Sequence, residues 1–261
     1  MKADHIDYPV IKQIVEEIER LTGGLSKLEN EFPTLVQDAV DFVIDPIRTA
    51  RSTIAELDNV EKTFIGLKVE HFLRDYLGVP KGLRDLRIGD RDVDVKNTVL
   101  KTWMIPPETF SNQDPCVLVM ITSPSNTCSL GIFVARPEYL NADNRDKKRS
   151  VSAKAFPNIY WILRDKALPE SRFKDIDMAR FRQLRNMRYG NRRLAQFLRE
   201  NLDRVIHRNV LLGLLFDQLD PMKRLRGNGG VRDALAKEGI VVFSGAYDSK
   251  FIEKYSLPRC S

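Results

Sequence analysis

Long hydrophobic runs are missing from this chain of 261 residues. Its most apolar stretches, VLVMI (Val117 to Ile121) and VLLGLLF (Val210 to Phe216), are far shorter than the roughly 20 residues a membrane-spanning helix needs. No membrane association is expected. The opening MKADHIDYPVIKQ lacks the charged start and apolar block of a secretory signal, so a cytoplasmic location is expected. Cysteine is scarce: Cys116, Cys128 and Cys260 form no CxxC pair and leave an odd thiol, which excludes a disulfide framework or zinc knuckle. Two of them are expected to pack as small hydrophobes. Histidine is equally rare, and His5, His71 and His207 are too dispersed for a His-based metal cage or a Ser-His-Asp constellation. There is no internal repeat or low-complexity tract. Any chemistry must run on carboxylates and lysine.

What is present is charge, unevenly placed. The formal net charge is +6, but Arg145 to Arg232 holds 22 Lys and Arg against 9 Asp and Glu, a local +13 that leaves −7 to the remainder. A basic half joined to an acidic half is the pattern of a nucleic-acid binder with a metal site, although composition alone also fits a basic protein with a solvated surface. With 43% hydrophobic residues the chain can bury a sizeable core, in one large domain or two smaller ones.

The first third reads as helices. VIKQIVEEIERLTGGL repeats apolar residues at helical spacing and stops at Gly23-Gly24; TLVQDAVDFVIDPIRTARS is broken at Pro46; a third helix runs from about Asn59 to Leu77 and ends at Gly78. Short strands follow in RDLRI, DVDVKNT, CVLVMITS and SLGIFVARP. Helices followed by a mixed sheet predict an α/β core with helices flanking the sheet. The polar run NADNRDKKRSVS reads as a hinge. Beyond it AFPNIYWILRD, RFRQLRNM, RRLAQFLRENLDRV and HRNVLLGLLFDQL read as helical. They are followed by DPMKRLRGNGGVRDALAKEG and a closing apolar β element, GIVVFSG. That order fits a mainly helical winged helix-turn-helix domain or an ordinary helical bundle.

The densest acidic stretch is RDLRIGDRDVDVKNT, Arg84 to Thr98. In a strand, alternate residues share a face, so Asp92, Asp94 and Lys96 lie opposite Val93 and Val95, which go to the core. At roughly 3.3 Å per residue, Asp94 and Lys96 are about 7 Å apart at Cα and Asp92 is about twice as far from Lys96, so Asp94 is the lysine's partner. A hairpin turning at Gly89-Asp90 lays Asp85 beside Asp94. Two carboxylates held close repel unless a divalent cation intervenes, and hard oxygen ligands suit Mg²⁺. Such an ion polarises a phosphate and acidifies a water, while Lys96 orients that water or stabilises developing charge. Glu70, on the preceding helix in GLKVEHFL, is a candidate third carboxylate. Many surface hairpins share the spacing and use it only to keep a turn solvated. Asp90 is assigned to the turn, and Asp92 stays ambiguous.

The chain also resembles the NaeI family of type II restriction endonucleases. The blocks EKTFIGLKVE, DVDVKNT, WMIPPE, NRDKKRS and MKRLRGNGGVRDALAKEGIVV carry the resemblance in order, over about residues 40 to 245. It implies a PD-(D/E)xK endonuclease domain at 1–142, a basic linker at 143–152 and a helix-turn-helix DNA-binding domain at 153–261. It further implies Mg²⁺-dependent cleavage of double-stranded DNA at a palindromic site, a homodimer, stimulation by a second DNA copy, and a cognate DNA methyltransferase in the same system. Position by position, the family's glutamate falls on Glu70, its first strand aspartate on Asp85, and its D-x-K on Asp94 and Lys96; Asp85 lies in a poorly matched segment.

Phosphate contacts give affinity and base contacts give specificity. Lys223, Arg224, Arg226 and Arg232 form a compact basic set, suited to reading guanines of a G·C-rich site or to clamping phosphate. The glycines of RGNGG permit a tight turn beside it. Arg208, and Arg145, Lys147, Lys148 and Arg149 in the linker, are candidate phosphate contacts, although a charge run is ordinarily a solvated segment. Trp103 and Trp161 are expected in the core, and Pro106-Pro107 to fix a loop at the edge of the site. Two other readings use the same residues: a non-catalytic winged-helix regulator, and a strand-nicking repair endonuclease.

Overall fold

A computed structural model describes residues 1–123 and 125–258, which leaves Pro124 and Cys260 outside the described residues. The chain forms two compact units. The first comprises 1–43 and 57–169; the second comprises 44–56 and 170–261.

The first unit opens with α1 (Tyr8–Thr22), which buries Ile11, Ile14, Val15 and Ile18 at helical spacing and ends at Gly23, φ 76°. Next along the chain come α2 (Leu25–Ile44), the single turn α3 (Pro46–Thr49), which belongs to the second unit, and α4 (Asn59–Leu77). Asp58 and Glu61 close a reciprocal capping box at the start of α4, and Gly78, φ 64°, ends the helix as its position after Leu77 predicts. Ile65, Val69, Leu73 and Leu77 form its buried stripe.

Strands β1 (Leu86–Ile88) and β2 (Arg91–Thr98) make the hairpin read from the sequence, turning at Gly89-Asp90. Then follow β3 (Met104–Ile105), the short α5 (Pro107–Ser111), β4 (Pro115–Thr122) and β5 (Thr127–Val134). After these come β6 (Leu140–Asp143), β7 (Arg149–Val151) and β8 (Tyr160–Ala167). The main sheet has the order β1-β2-β4-β5-β8, with β2 and β4 parallel and the other neighbours antiparallel. It is a mixed sheet with helices packed on it, as expected. A second small sheet has the order β3-β7-β6.

Three expectations are corrected. The run expected as a linker at 143–152 is folded into the first unit: β6 and β7 pair antiparallel, and Asn144 organises the turn by accepting from the Asp146 and Lys148 amides. The division falls instead at 169/170, and the excursion 44–56 belongs with the second unit. AFPNIYWILRD is a helical turn of Ala153–Asn158 followed by a strand, β8. Tyr, Trp, Ile and Leu suit a pleated surface, and β5 offers a free edge to pair with. Gly131 on β5 admits this pairing, because a Cβ there would stand 2.6 Å from Ile159 Cγ2 and 3.0 Å from Trp161. GIVVFSG forms no strand: both sheets of the described residues lie in the first unit, so the segment has no ladder to join.

The second unit is built from α3 with α6 (Met178–Arg185), α7 (Gly190–Glu200), α8 (Arg208–Leu214), α9 (Val231–Ala236) and α10 (Ser249–Lys254). Phe181, Leu184, Leu194, Phe197, Val210, Leu214, Val231 and Leu235 form its core. Arg185 holds the excursion in place, donating to the carbonyls of Ile47 at 2.6 Å and Arg48 at 3.0 Å and, on α8, to that of Gly213 at 2.7 Å. No helix among the described residues is long and apolar enough to cross a membrane.

Candidate active site and nucleic-acid interface

The β1–β2 register pairs Leu86 with Val93, so the next step of the ladder sets Asp85 opposite Asp94. The pairing is local geometry, fixed by the tight turn at Gly89, φ 57°. Asp85 Oδ2 accepts a 2.7 Å hydrogen bond from the Val95 amide, and the Asp85 and Asp94 carboxyls are close enough to perturb each other's protonation. Asp94 is only 3% exposed. Its Oδ1 accepts from Lys96 Nζ at 2.7 Å and its Oδ2 from Thr109 Oγ1 at 2.6 Å. Lys96 is therefore the partner of Asp94, as the two-residue strand period predicts.

The electrostatics divide the two acids. Burial, the hydrogen bond to Asp94 and repulsion from Asp94 and Glu70 push Asp85 up to about 6, against the opposing pull of the Val95 amide. Asp94 is held below the ordinary carboxylate value. Burial is the largest influence on it and acts upward, but the hydrogen bond with Asp85, the charge and hydrogen bond of Lys96 and the Thr109 hydroxyl outweigh it. The pair thus takes up its first proton at a higher pH than an isolated carboxylate does, because two adjacent negative charges are costly. That is the condition a divalent cation relieves.

Glu70 lies within electrostatic reach of Asp85 but is turned to Arg74, whose Nη1 stands 3.2 Å from Glu70 Oε1. The same Arg74 nitrogen reaches the Asp85 carbonyl at 3.4 Å. Among the described residues, no three His, Cys, Asp or Glu side chains form a ready-made metal-binding group. The donor set fits Mg²⁺ nonetheless, since this ion binds through one or two carboxylates and keeps several waters. Asp85 and Asp94 are the residues that would hold it, with Glu70 a step removed.

Asp92 and Asp90 serve the fold. Asp92 Oδ1 accepts from the Leu83 amide at 2.7 Å, and its Oδ2 lies 3.5 Å from Arg87 Nη1, so it ties down the loop leading into β1. Asp90 is exposed in the turn. Two residues escaped the sequence reading. Thr109 is fully buried against Asp94, and Arg84 bonds Asp114 Oδ2 at 2.9 Å and the Glu108 carbonyl at 2.9 Å. The WMIPPE block ends one residue before Thr109, and its Pro107 opens the short α5 that carries the threonine. Trp103 is in the core as expected, donating from its indole nitrogen to the Val119 carbonyl at 2.7 Å; Cys116 and Cys128 are buried too.

The basic candidates separate by exposure. Arg145, Lys147 and Lys148 are exposed on the β6–β7 turn, whereas Arg149 is half-buried, 4.7 Å over the Phe110 ring and 3.7 Å from Asp143. In the second unit Arg208, Lys223, Arg224 and Arg226 are exposed, but Arg232 is bound to Asp248 at 2.6 Å. Other arginines of this unit serve the fold. Arg193, 2% exposed, bonds both carboxylate oxygens of Asp217 and the carbonyls of Leu214 and Met187. Arg180 pairs with Glu200, Arg199 with Glu238 and Arg182 with Glu56. A recess of about 380 Å³, lined by Arg192, Arg199, Gly229 and Gly230 among others, opens between α7 and the glycine turn.

Comparison with known proteins matches this arrangement to one family. The model of restriction endonuclease NaeI matches residues 28–254. The type II restriction enzyme NaeI of Lentzea aerocolonigenes is 27% identical over 239 residues, covering 87% of this chain and 74% of that protein. With the match running through both units and across Asp85, Asp94 and Lys96, the chain belongs to the NaeI restriction endonuclease family.

Proposed function

We propose that this protein is a type II restriction endonuclease that hydrolyses phosphodiester bonds of double-stranded DNA at a specific, palindromic, G·C-rich site with Mg²⁺ as cofactor. The observation that carries the reading is the Asp85, Asp94 and Lys96 constellation on one hairpin, in a chain of the NaeI family. A bound Mg²⁺ supplies a polarised phosphate and a water acidic enough to attack. Asp85 and Asp94 provide the oxygens for it. Lys96 carries its ammonium beside Asp94 and faces charge developing on the scissile phosphate. Asp85, poised near pH 6, sheds its proton when a cation occupies the site.

DNA is held by the exposed cations: Arg145, Lys147 and Lys148 on the β6–β7 turn, and Arg208, Lys223, Arg224 and Arg226 in the second unit. Arginine's bidentate match to guanine favours the G·C-rich target, and cutting both strands of a palindrome calls for a homodimer. The second unit is the place for a further DNA copy that stimulates cleavage. A cognate methyltransferase protects the host's own sites without forming a stable complex.

The test is cleavage of a randomised-site DNA library in Mg²⁺, with end sequencing, for wild type and Asp94→Asn. The expected result is double-strand cuts at one site by wild type. A loss of about 10³-fold or more is expected in the variant, several kcal/mol of transition-state stabilisation, with DNA binding retained. Specific binding by wild type without any cut or nick would overturn the reading in favour of a regulator. Single-strand nicks would point to a repair-type enzyme on the same core.

A further inference from the structure

We infer that Thr109 is a positioning residue of the nuclease site, whose hydroxyl fixes the orientation of the Asp94 carboxylate from beneath the sheet. The inference rests on the nuclease reading for its consequence and on geometry for its substance. Thr109 Oγ1 donates to Asp94 Oδ2 at 2.6 Å, and Lys96 Nζ donates to Oδ1 at 2.7 Å. With a donor on each oxygen, the carboxylate plane cannot turn without breaking one of two short charged hydrogen bonds. The lone pairs left over are thereby held in fixed directions.

The threonine is itself held. Its carbonyl accepts from the Asp114 amide at 2.9 Å, closing the turn after α5. Arg84 then grips that same segment twice, through Asp114 Oδ2 and the Glu108 carbonyl. Arg84 immediately precedes Asp85. A closed ring of contacts therefore runs from Asp85 through Arg84 to Glu108 and Thr109, across to Asp94, and through the neighbouring Val95 amide back to Asp85 Oδ2. The ring ties the segment that carries one acid to the hydroxyl that orients the other. The Thr109 side chain is fully buried and its other surroundings are protein, so it touches neither substrate nor solvent. It acts only through Asp94.

Removing such an outer partner of a metal ligand typically lowers metal affinity or activity about 10–100-fold. Thr109→Val deletes the hydroxyl at nearly constant shape, and Thr109→Ser keeps the hydroxyl while losing the methyl. Three readouts are needed: single-turnover cleavage, Mn²⁺ binding to DNA-free protein followed by loss of the free-ion electron paramagnetic resonance signal, and thermal melting. For Thr109→Val we expect cleavage and Mn²⁺ affinity each to fall roughly 10–100-fold. Thr109→Ser should restore both to within about 3-fold of wild type.

Wild-type Mn²⁺ affinity in Thr109→Val, measured below its melting temperature, overturns the assignment whatever happens to its stability. So does an equal loss in Thr109→Ser, which would make the methyl packing the active feature. If wild type cuts no DNA, the nuclease reading fails, and the Mn²⁺ arm still decides the role of Thr109.

Discussion

Charge is used in opposite ways in the two units. In the first, a few ionisable groups are crowded into a buried cluster where they disturb one another: Asp94 is almost inaccessible, and Asp85 is pushed up to about 6. In the second, charges are many and a large share are satisfied in pairs, as with Arg180 and Glu200 or Arg199 and Glu238. A buried cluster of acids that repel one another is a place a cation would relieve, whereas part of a large basic excess is architecture and only the rest faces a polyanion. The net charge of a segment therefore overstates its DNA-binding surface.

The sharpest way to break this comparison is to treat one of the internal arginines as if it were a DNA contact. Arg193 occupies a core position, bonded to two carbonyls and to Asp217. Arg193→Met should destabilise the protein by about 3 kcal/mol, because it leaves two carbonyls and a carboxylate without their donor. Arg224→Ala, at an exposed site, should change stability by no more than ~0.5 kcal/mol. Urea denaturation of both variants measures the contrast. Equal stability would mean that the buried guanidinium does not hold the fold.

A smaller effect is expected from relieving the acidic cluster. Because Asp85 has its value raised from 3.8 to about 6 in the fold, its contribution to stability is fully present below about pH 4 and is lost as pH rises through about 6. Asp94 works in the other direction, adding stability above the ordinary carboxylate range and losing it on acidification. Asp85→Asn removes the first contribution and alters the second only by the part Asp85 supplies, leaving Lys96 and Thr109 on Asp94. Without metal at pH 7 it should melt roughly 2–4 °C above wild type, an advantage of about 1 kcal/mol once the partial solvent exposure of Asp85 is discounted. The gap should close as pH falls through 6 towards 4, and Mg²⁺ should raise the melting temperature of wild type alone. Calorimetry across that range checks each part; a gap that is constant with pH would show that Asp85 ionisation is not the cause.

How far the sequence carried these features depends on their range along the chain. Asp94, Lys96 and Asp85 were legible because strand alternation and a two-residue turn are local rules that place them without knowledge of the rest. Thr109 was not, since its contact with Asp94 spans two strands and a loop that no periodicity describes. Strand β8 was misread because AFPNIYWILRD has apolar residues at spacings that suit either a helix or a half-buried edge strand, and only the free edge of β5 decides. The basic run at Arg145 to Arg149 looked like a hinge because polar loops and tight hairpin turns share a composition. Arg193 did leave a signal: it stands on the stripe of Gly190, Leu194 and Phe197, where a charge can only be a buried, bonded one. Counting arginines by face instead of by segment takes it out of the basic excess and puts it in the core.

The smallest effect separates affinity from specificity among the arginines that remain. Arg226 follows the helical turn Pro221–Leu225, is exposed, and precedes the glycine turn in which Gly229 has φ 88°. A Cβ at Gly230 would lie 1.9 Å from the Arg226 carbonyl, so the turn can close only on a residue without a side chain, and it fixes the backbone beneath Arg226. If Arg226 meets only phosphate, Arg226→Ala should weaken binding to every DNA by a similar factor, about 3–10-fold near 0.1 M salt, and reduce the slope of log affinity against log salt by about 1. If it reads guanine, the loss should fall on one position of the target at about 1–3 kcal/mol, with nonspecific binding little changed. Titration of the cognate duplex, of single-base variants and of an unrelated duplex at two salt concentrations separates these outcomes. Unchanged affinity in all three would remove Arg226 from the interface and leave Arg208, Lys223 and Arg224 as the exposed candidates of the second unit.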